Sequence, residues 1–129
     1  MPARLQHALR ILIVDDEPAM VKAVARMLRP AGHVVRTANS GEEALEHLAA
    51  EPFDVVVSDL GMGAGMNGWD VAEAVRRGWP RVRFVLATGW GAAIDQREAA
   101  AHGVETILAK PYLLTDLQRA LMSPEQLPD

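Results

Sequence analysis

Five residues able to do chemistry stand at the ends of short apolar runs. Asp15 and Asp16 follow RILIV, Asp59 follows DVVVS, Thr88 closes VRFVLAT, and Lys110 follows ETILA. If the ends of these runs meet, three carboxylates, a hydroxyl and an ammonium share a small volume. Two like charges about 4 Å apart repel by roughly 4 kcal/mol at an effective dielectric near 20, so such a cluster either takes up protons or recruits a cation. The candidate ligands are all hard oxygens. Cysteine is absent and His7, His33, His47 and His102 are scattered, which favours Mg²⁺ or Mn²⁺ over zinc. A divalent cation beside Lys110 would stabilise phosphoryl charge in transfer. Asp59 would then be placed as a nucleophile that forms an aspartyl phosphate. The loop GMGAGMNG after it lets backbone and metal approach that carboxylate closely.

What positions these residues is an alternation of two periods. The β-branched run Arg10–Val14 reads as a strand, and EPAMVKAVARMLRPAG after it places Met20, Val21, Val24, Met27 and Leu28 on one helical face. Pro18 suits a first helical turn and Gly32 follows the end. HVVRTA is a second strand. Ser40 and Glu43 make a capping-box pattern opening GEEALEHLAA. DVVVS is the third strand, a run apolar enough to be buried on both faces, and WDVAEAVRRGW the helix after its loop. VRFVLAT is the fourth strand, AAIDQREAAAHG a helix with a sparse apolar stripe, and ETILA the fifth strand. Thr115 and Gln118 form a second capping-box pattern before DLQRALM. Strand and helix alternate five times with short connections, which predicts a parallel sheet covered by helices on both faces. The expected architecture is α/β, a doubly wound (βα)5 flavodoxin-like sheet with strand order 2-1-3-4-5. Ligands of such sheets bind outside the carboxyl ends of the strands, where the five residues stand. The expected domain is 10–122, with an arm at 1–9 and a tail at 123–129.

Composition narrows the function classes. At 129 residues, half of them hydrophobic, the chain suits one domain with a real core. A net charge of −4 and the lack of a Lys/Arg stripe argue against nucleic-acid binding. The start MPARLQHALR has no apolar segment of a signal peptide, and no apolar run is long enough to span a membrane. A cytoplasmic location with no membrane partner is the expectation, consistent with the missing cysteines.

ILIVDDEP, VVVSDLGM, VLATG and LAKPY, in this order and at these intervals, resemble a response-regulator receiver domain of two-component signalling over roughly residues 10–122. The resemblance implies a metal site of Asp15, Asp16, Asp59 and the backbone carbonyl of Gly61. It implies Asp59 as phosphoacceptor, a histidine kinase or histidine phosphotransfer protein as donor, and a downstream protein target that the sequence does not identify. Thr88 and Lys110 match the family's switch hydroxyl and phosphoryl-binding lysine, and Lys110–Pro111 its cis peptide. A homodimer on phosphorylation is left open. DLGM…NGWDVA with ATGWG also resembles the receivers of hybrid sensor kinases.

Three departures stand out. Gly68 lies nine residues after Asp59 where the family places its glycine at eight, so the loop carries one extra residue, and the usual loop proline is Gly63 or Ala64. Ile107 occupies the position of the family's frequent aromatic. Trp90, two residues after Thr88, stands where side-chain size governs water access, so it is expected to slow hydrolysis of the phosphoryl group. The alternative reading is a degenerate receiver, a phosphorylation-independent interaction module disabled by its long loop. A flavodoxin-type flavin site is disfavoured because DDEP would repel phosphate. A haloacid-dehalogenase-type phosphatase is disfavoured because its nucleophile follows the first strand. Taken singly, Asp15 or Asp16 would serve as an acid at a helix N-terminus, worth about 0.3–1 kcal/mol. Arg76 and Arg77 read as a solvated helix end, and Trp69 and Trp79 as covers over the core.

Overall fold

The computed structural model describes residues 8–89, 94–104 and 106–122. Its elements run β1 (Arg10–Val14), α1 (Pro18–Leu28), β2 (Val34–Ala38), α2 (Gly41–Ala50), β3 (Val55–Asp59), α3 (Gly68–Gly78), β4 (Arg83–Thr88), α4 (Gln96–Ala101), β5 (Thr106–Ala109) and α5 (Leu114–Leu121). All pairings are parallel, in the order β2-β1-β3-β4-β5. The three central strands are buried on both faces, which is why RILIV, VVVSD and RFVLAT read as nearly continuous apolar runs.

Alternate residues of these strands feed two cores. Leu12, Val14, Val56 and Leu86 face α2, α3 and α4, meeting Ala44, Leu48, Val71, Val75 and Ala99. Ile11, Ile13, Val55, Val57, Val85 and Ala87 face α1 and α5, meeting Val21, Val24, Leu28, Leu117 and Leu121. Both cores grip the central strands, so the carboxyl ends of β1, β3 and β4 are rigid supports.

Helix ends follow local chemistry, with two corrections. Pro18 opens α1, and Gly32, at φ 97°, ends the turn after it in the left-handed region. Ser40 caps α2 through Glu43 N–H at 3.0 Å, but the Glu43 carboxylate reaches back to Asn39 N–H, one residue earlier than the expected box requires. Thr115 is not the cap of α5. That helix is capped two residues earlier, at Leu113, and the Asp116 carboxylate accepts from Leu113 N–H at 2.9 Å. With Leu113 as the N-cap, Thr115 falls inside the first turn and Asp116 is the residue placed to reach back to the N-cap N–H. The described part of α4 is also shorter than the 92–103 stretch that propensity suggests. It begins at Gln96, capped by Asp95, and ends at Ala101 with Ala99 as its single buried residue.

Candidate functional site

β1 and β3 are neighbours, with Val14 paired to Ser58, so the residues after each pair emerge side by side at one edge. Hydrogen bonding of the sheet continues past the strand ends. Asp15 N–H donates to Ala38 O at 3.1 Å, and Lys110 N–H to Thr88 O at 2.9 Å. Asp15 and Lys110 are thereby held as firmly as the strands that deliver them.

One oxygen of each of Asp15, Asp16 and Asp59 lies within 4.8 Å of the others. Lys110 Nζ bridges two of these acids, donating to Asp15 Oδ2 at 2.8 Å and Asp59 Oδ1 at 3.0 Å. The remaining Asp15 oxygen accepts from Glu17 N–H at 3.0 Å, a local turn that fixes the carboxylate's direction. Asp16 is exposed and, among the described residues, takes no hydrogen bond or ion pair. The lysine therefore serves two acids and leaves the third unmatched.

The ionisation balance follows from that sharing. Burial pushes the Asp59 carboxyl above its ordinary range. The hydrogen bond and charge of Lys110 oppose the shift and the charge of Asp15 reinforces it. Burial also works to strip the Lys110 proton, but hydrogen bonds and charges from both Asp15 and Asp59 outweigh it, and the ammonium titrates above the usual lysine range. The ammonium gains from two carboxylates, whereas Asp59 receives only a share of one ammonium. Tyr112, beside the site, has its phenol pushed up by burial.

The donor set fits a hard divalent cation. Three carboxylate oxygens converge, one acid has no protein counter-charge, and no sulfur or imidazole joins the cluster among the described residues. Mg²⁺ keeps several waters when protein-bound, so an open edge site with few protein ligands suits it. Two clefts, of about 570 and 630 Å³, are lined by none of the three acids.

Thr88 is buried at the end of β4, directly beside Lys110 through the backbone bond already described. Gly61 is exposed at the start of the β3–α3 loop. The Lys110–Pro111 peptide is cis. Ile107 is half-buried against the core under α2, α3 and α4. Trp90 lies outside the described residues. Gly68 has a plain steric reason to be glycine. A Cβ there would sit 2.5 Å from Asp59 O and 2.8 Å from Leu60 Cα, both backbone atoms. Whatever the loop length, α3 can start this close to Asp59 only without a side chain.

Several interactions around the site were not anticipated. Asn67 and Asp70 form a reciprocal cap on α3, at 3.0 and 2.9 Å, and their three-residue spacing is a readable signal. Glu42 accepts from Met66 N–H in the glycine loop at 3.2 Å. Arg76 is not merely solvated, since it donates to Ala101 O at 3.2 Å. Trp69 covers core as expected and also stacks on His102, with ring centroids 4.5 Å apart.

The model of the response regulator receiver domain matches residues 11–122. The chain belongs to this family. Among relatives of this receiver, the response regulator protein FleR of Pseudomonas aeruginosa is 34% identical over 105 residues, 81% of this chain and 22% of FleR. The chain thus spans about a fifth of that relative's length. The chemotaxis protein CheY4 of Vibrio cholerae superposes with a TM-score of 0.82 at 30% identity, covering 88% of this chain and 96% of CheY4. A response regulator of Burkholderia pseudomallei, solved with a phosphorylated aspartic acid, a calcium ion and citrate, gives 0.81 at 28% identity, covering 88% and 66%. Receiver domains take phosphate from histidine kinases and bind Mg²⁺ at an acidic aspartate cluster, and this receiver has such a cluster in Asp15, Asp16 and Asp59. No helix among its described residues is long and apolar enough to cross a membrane.

Proposed function

We propose that this receiver accepts a phosphoryl group on Asp59 from the phosphohistidine of a histidine kinase or phosphotransfer protein, and that the aspartyl phosphate switches a partner-binding face. The observation that carries the reading is one cluster in which Lys110 bridges Asp15 and Asp59 while Asp16 has no counter-charge among the described residues. A phosphorylated aspartic acid in the similar Burkholderia protein supports it.

Asp15, Asp16, Asp59 and the Gly61 carbonyl would hold Mg²⁺, which supplies charge stabilisation for the equatorial phosphoryl oxygens. An Asp59 carboxylate oxygen attacks phosphorus in line with the bond to the histidine nitrogen. The O–P bond forms, the P–N bond breaks, and its electron pair returns to the imidazole, which takes a proton from solvent. Burial of Asp59 makes its oxygen more basic than an ordinary carboxylate, which favours attack once the group is ionised. Lys110, already 3.0 Å from Asp59 Oδ1, follows the transferred charge and donates to a phosphoryl oxygen. Thr88 donates its hydroxyl to another and carries the change into β4 and the segment after it. With Ile107 in place of the family's frequent aromatic, no ring at that position takes part in the switch.

Incubation with acetyl phosphate and Mg²⁺ tests the reading. Wild type is expected to gain one phosphoryl group by intact mass, and Asp59→Asn none. Bound metal without labelling by acetyl phosphate or any phosphohistidine donor would instead establish the phosphorylation-independent interaction module.

A further inference from the structure

The loop between β3 and α3 has an unusual set of attachments. Its base is closed by Gly68 N–H donating to Leu60 O at 2.7 Å. Met62 is buried in the core shared by α2, α3 and α4. Between these points run Gly63 and Gly65, both in the left-handed region at φ 66° and 92°. Two glycines free to adopt many conformations would leave the arc poorly defined if nothing held its outer side.

Glu42, in the first turn of α2, supplies that hold. Its Oε2 accepts from Met66 N–H at 3.2 Å, and the same oxygen lies 3.0 Å from where a Cβ on Gly65 would stand. The neighbouring Gly41 allows Met66 to approach, since a Cβ there would come within 2.7 Å of Met66 Cβ. The first turn of α2 therefore grips the outer end of the loop at two adjacent residues. At the other end of the arc, the Cβ position of Gly63 faces Asp16 Oδ2 at 3.6 Å. The arc leans on α2 on one side and on a cluster acid on the other.

We propose that Glu42 is a positioning residue for the phosphoryl-transfer site, fixing the backbone from Gly61 to Gly63 beside Asp16 through its hydrogen bond to Met66. The proposal rests on the function proposed above, because the backbone it fixes includes the Gly61 carbonyl expected to join the three acids. It gives the elongated, proline-free loop an order that its own sequence does not provide. A carboxylate also adds negative charge near the site, and the two effects separate by substitution. The Glu42→Gln variant keeps an acceptor oxygen and loses the charge, whereas Glu42→Ala loses both.

The test is calorimetric titration of the full chain with Mg²⁺ alone, for wild type, Glu42→Gln, Glu42→Ala and Asp16→Ala, with hydrogen exchange at the Met66 amide as a second readout. Glu42→Ala is expected to weaken Mg²⁺ about fivefold, the size of one ordinary hydrogen bond, and to speed Met66 exchange. Glu42→Gln is expected to stay near wild type on both measures. Equal weakening in the glutamine and alanine variants would show a charge effect and overturn the positioning role, as would an alanine variant that binds like wild type. Wild type that takes up no Mg²⁺ would overturn this inference together with the function it rests on. Normal Mg²⁺ uptake with an indifferent Glu42 would remove the inference alone.

Discussion

Lys110 is one cation between two acids, and the consequence falls on Asp59. Burial and the charge of Asp15 together raise its carboxyl against the pull of Lys110, so the folded protein holds that proton more tightly than the unfolded chain does. A raised carboxyl contributes stability that is fully present below the unfolded value and is lost as pH rises through the folded one. Above that window the ionised Asp59 costs stability, and the cost is relieved by a cation or by removal of the charge. Asp59→Asn in EDTA is therefore expected to melt close to wild type near pH 4 and to gain on it as pH rises towards 7. Melting temperatures of the two proteins across that range check it. A constant difference between them would mean that Lys110 already neutralises Asp59 fully. The residues of this cluster were legible in the sequence because each follows an apolar run that cannot itself accept a charge. The sharing of Lys110 was not, since it depends on side-chain directions between residues 95 and 51 positions apart.

At the scale of elements, α4 has the fewest buried residues of the described α-helices. Six residues with one buried side chain fall well short of the length at which a helix is stable alone. Its own N-cap and three contacts with α3 hold it. Asp95 accepts from Arg97 N–H at 2.7 Å, Arg76 of α3 donates to Ala101 O, and His102 is pinned against α3 by stacking on Trp69 and by Nδ1 lying 2.5 Å from Glu73 Oε2. Gly103, at φ 83°, turns the chain immediately after, and Arg76 occupies the space where a Cβ would stand. The sequence showed a sparse apolar stripe but not these anchors, because hydrophobic periodicity carries no information about polar contacts between helices. The missed α3 cap is a different case: Asn67 and Asp70 had the right spacing, but Asn67 fell in the glycine-rich stretch that read as loop while Asp70 fell in the helix after it. Replacing His102 by Ala is expected to raise amide exchange in α4 by about five- to tenfold, the loss of about 1–1.4 kcal/mol of local holding, while β1 and β3 keep their protection. Uniform loosening of the whole sheet would show that His102 supports the core and is no local anchor.

Across the whole molecule, the arrangement concentrates unfavourable charge at one edge of an otherwise well-satisfied structure. Among the described residues no buried side-chain nitrogen or oxygen lacks a partner. Away from that edge, Arg83 of β4 donates to Ala120 O at 3.1 Å and Met122 O at 2.6 Å, securing the end of α5 to the sheet. The strand order was legible because five alternations with short connections leave few parallel solutions, and the central strands had to be those apolar on both faces. With the frame this complete, a divalent cation has little to reorganise and its binding free energy appears largely as stability. For a ligand that binds only the folded state, a hundredfold excess over its dissociation constant adds about 2.7 kcal/mol. In a domain of this size that corresponds to a rise of roughly 8–15 °C in melting temperature. Adding saturating Mg²⁺ to EDTA-treated protein is expected to give a shift of that order at neutral pH. Asp16→Ala should abolish most of it, because Asp16 is the acid with no counter-charge among the described residues and the one whose removal leaves Lys110 matched to its two partners. Screening by the same ionic strength of a monovalent salt should give only a small part of the rise, since the cluster needs a doubly charged ion held at short range. An equal rise with monovalent salt, or an Asp16→Ala variant that responds like wild type, would show that the three acids do not act on one ion.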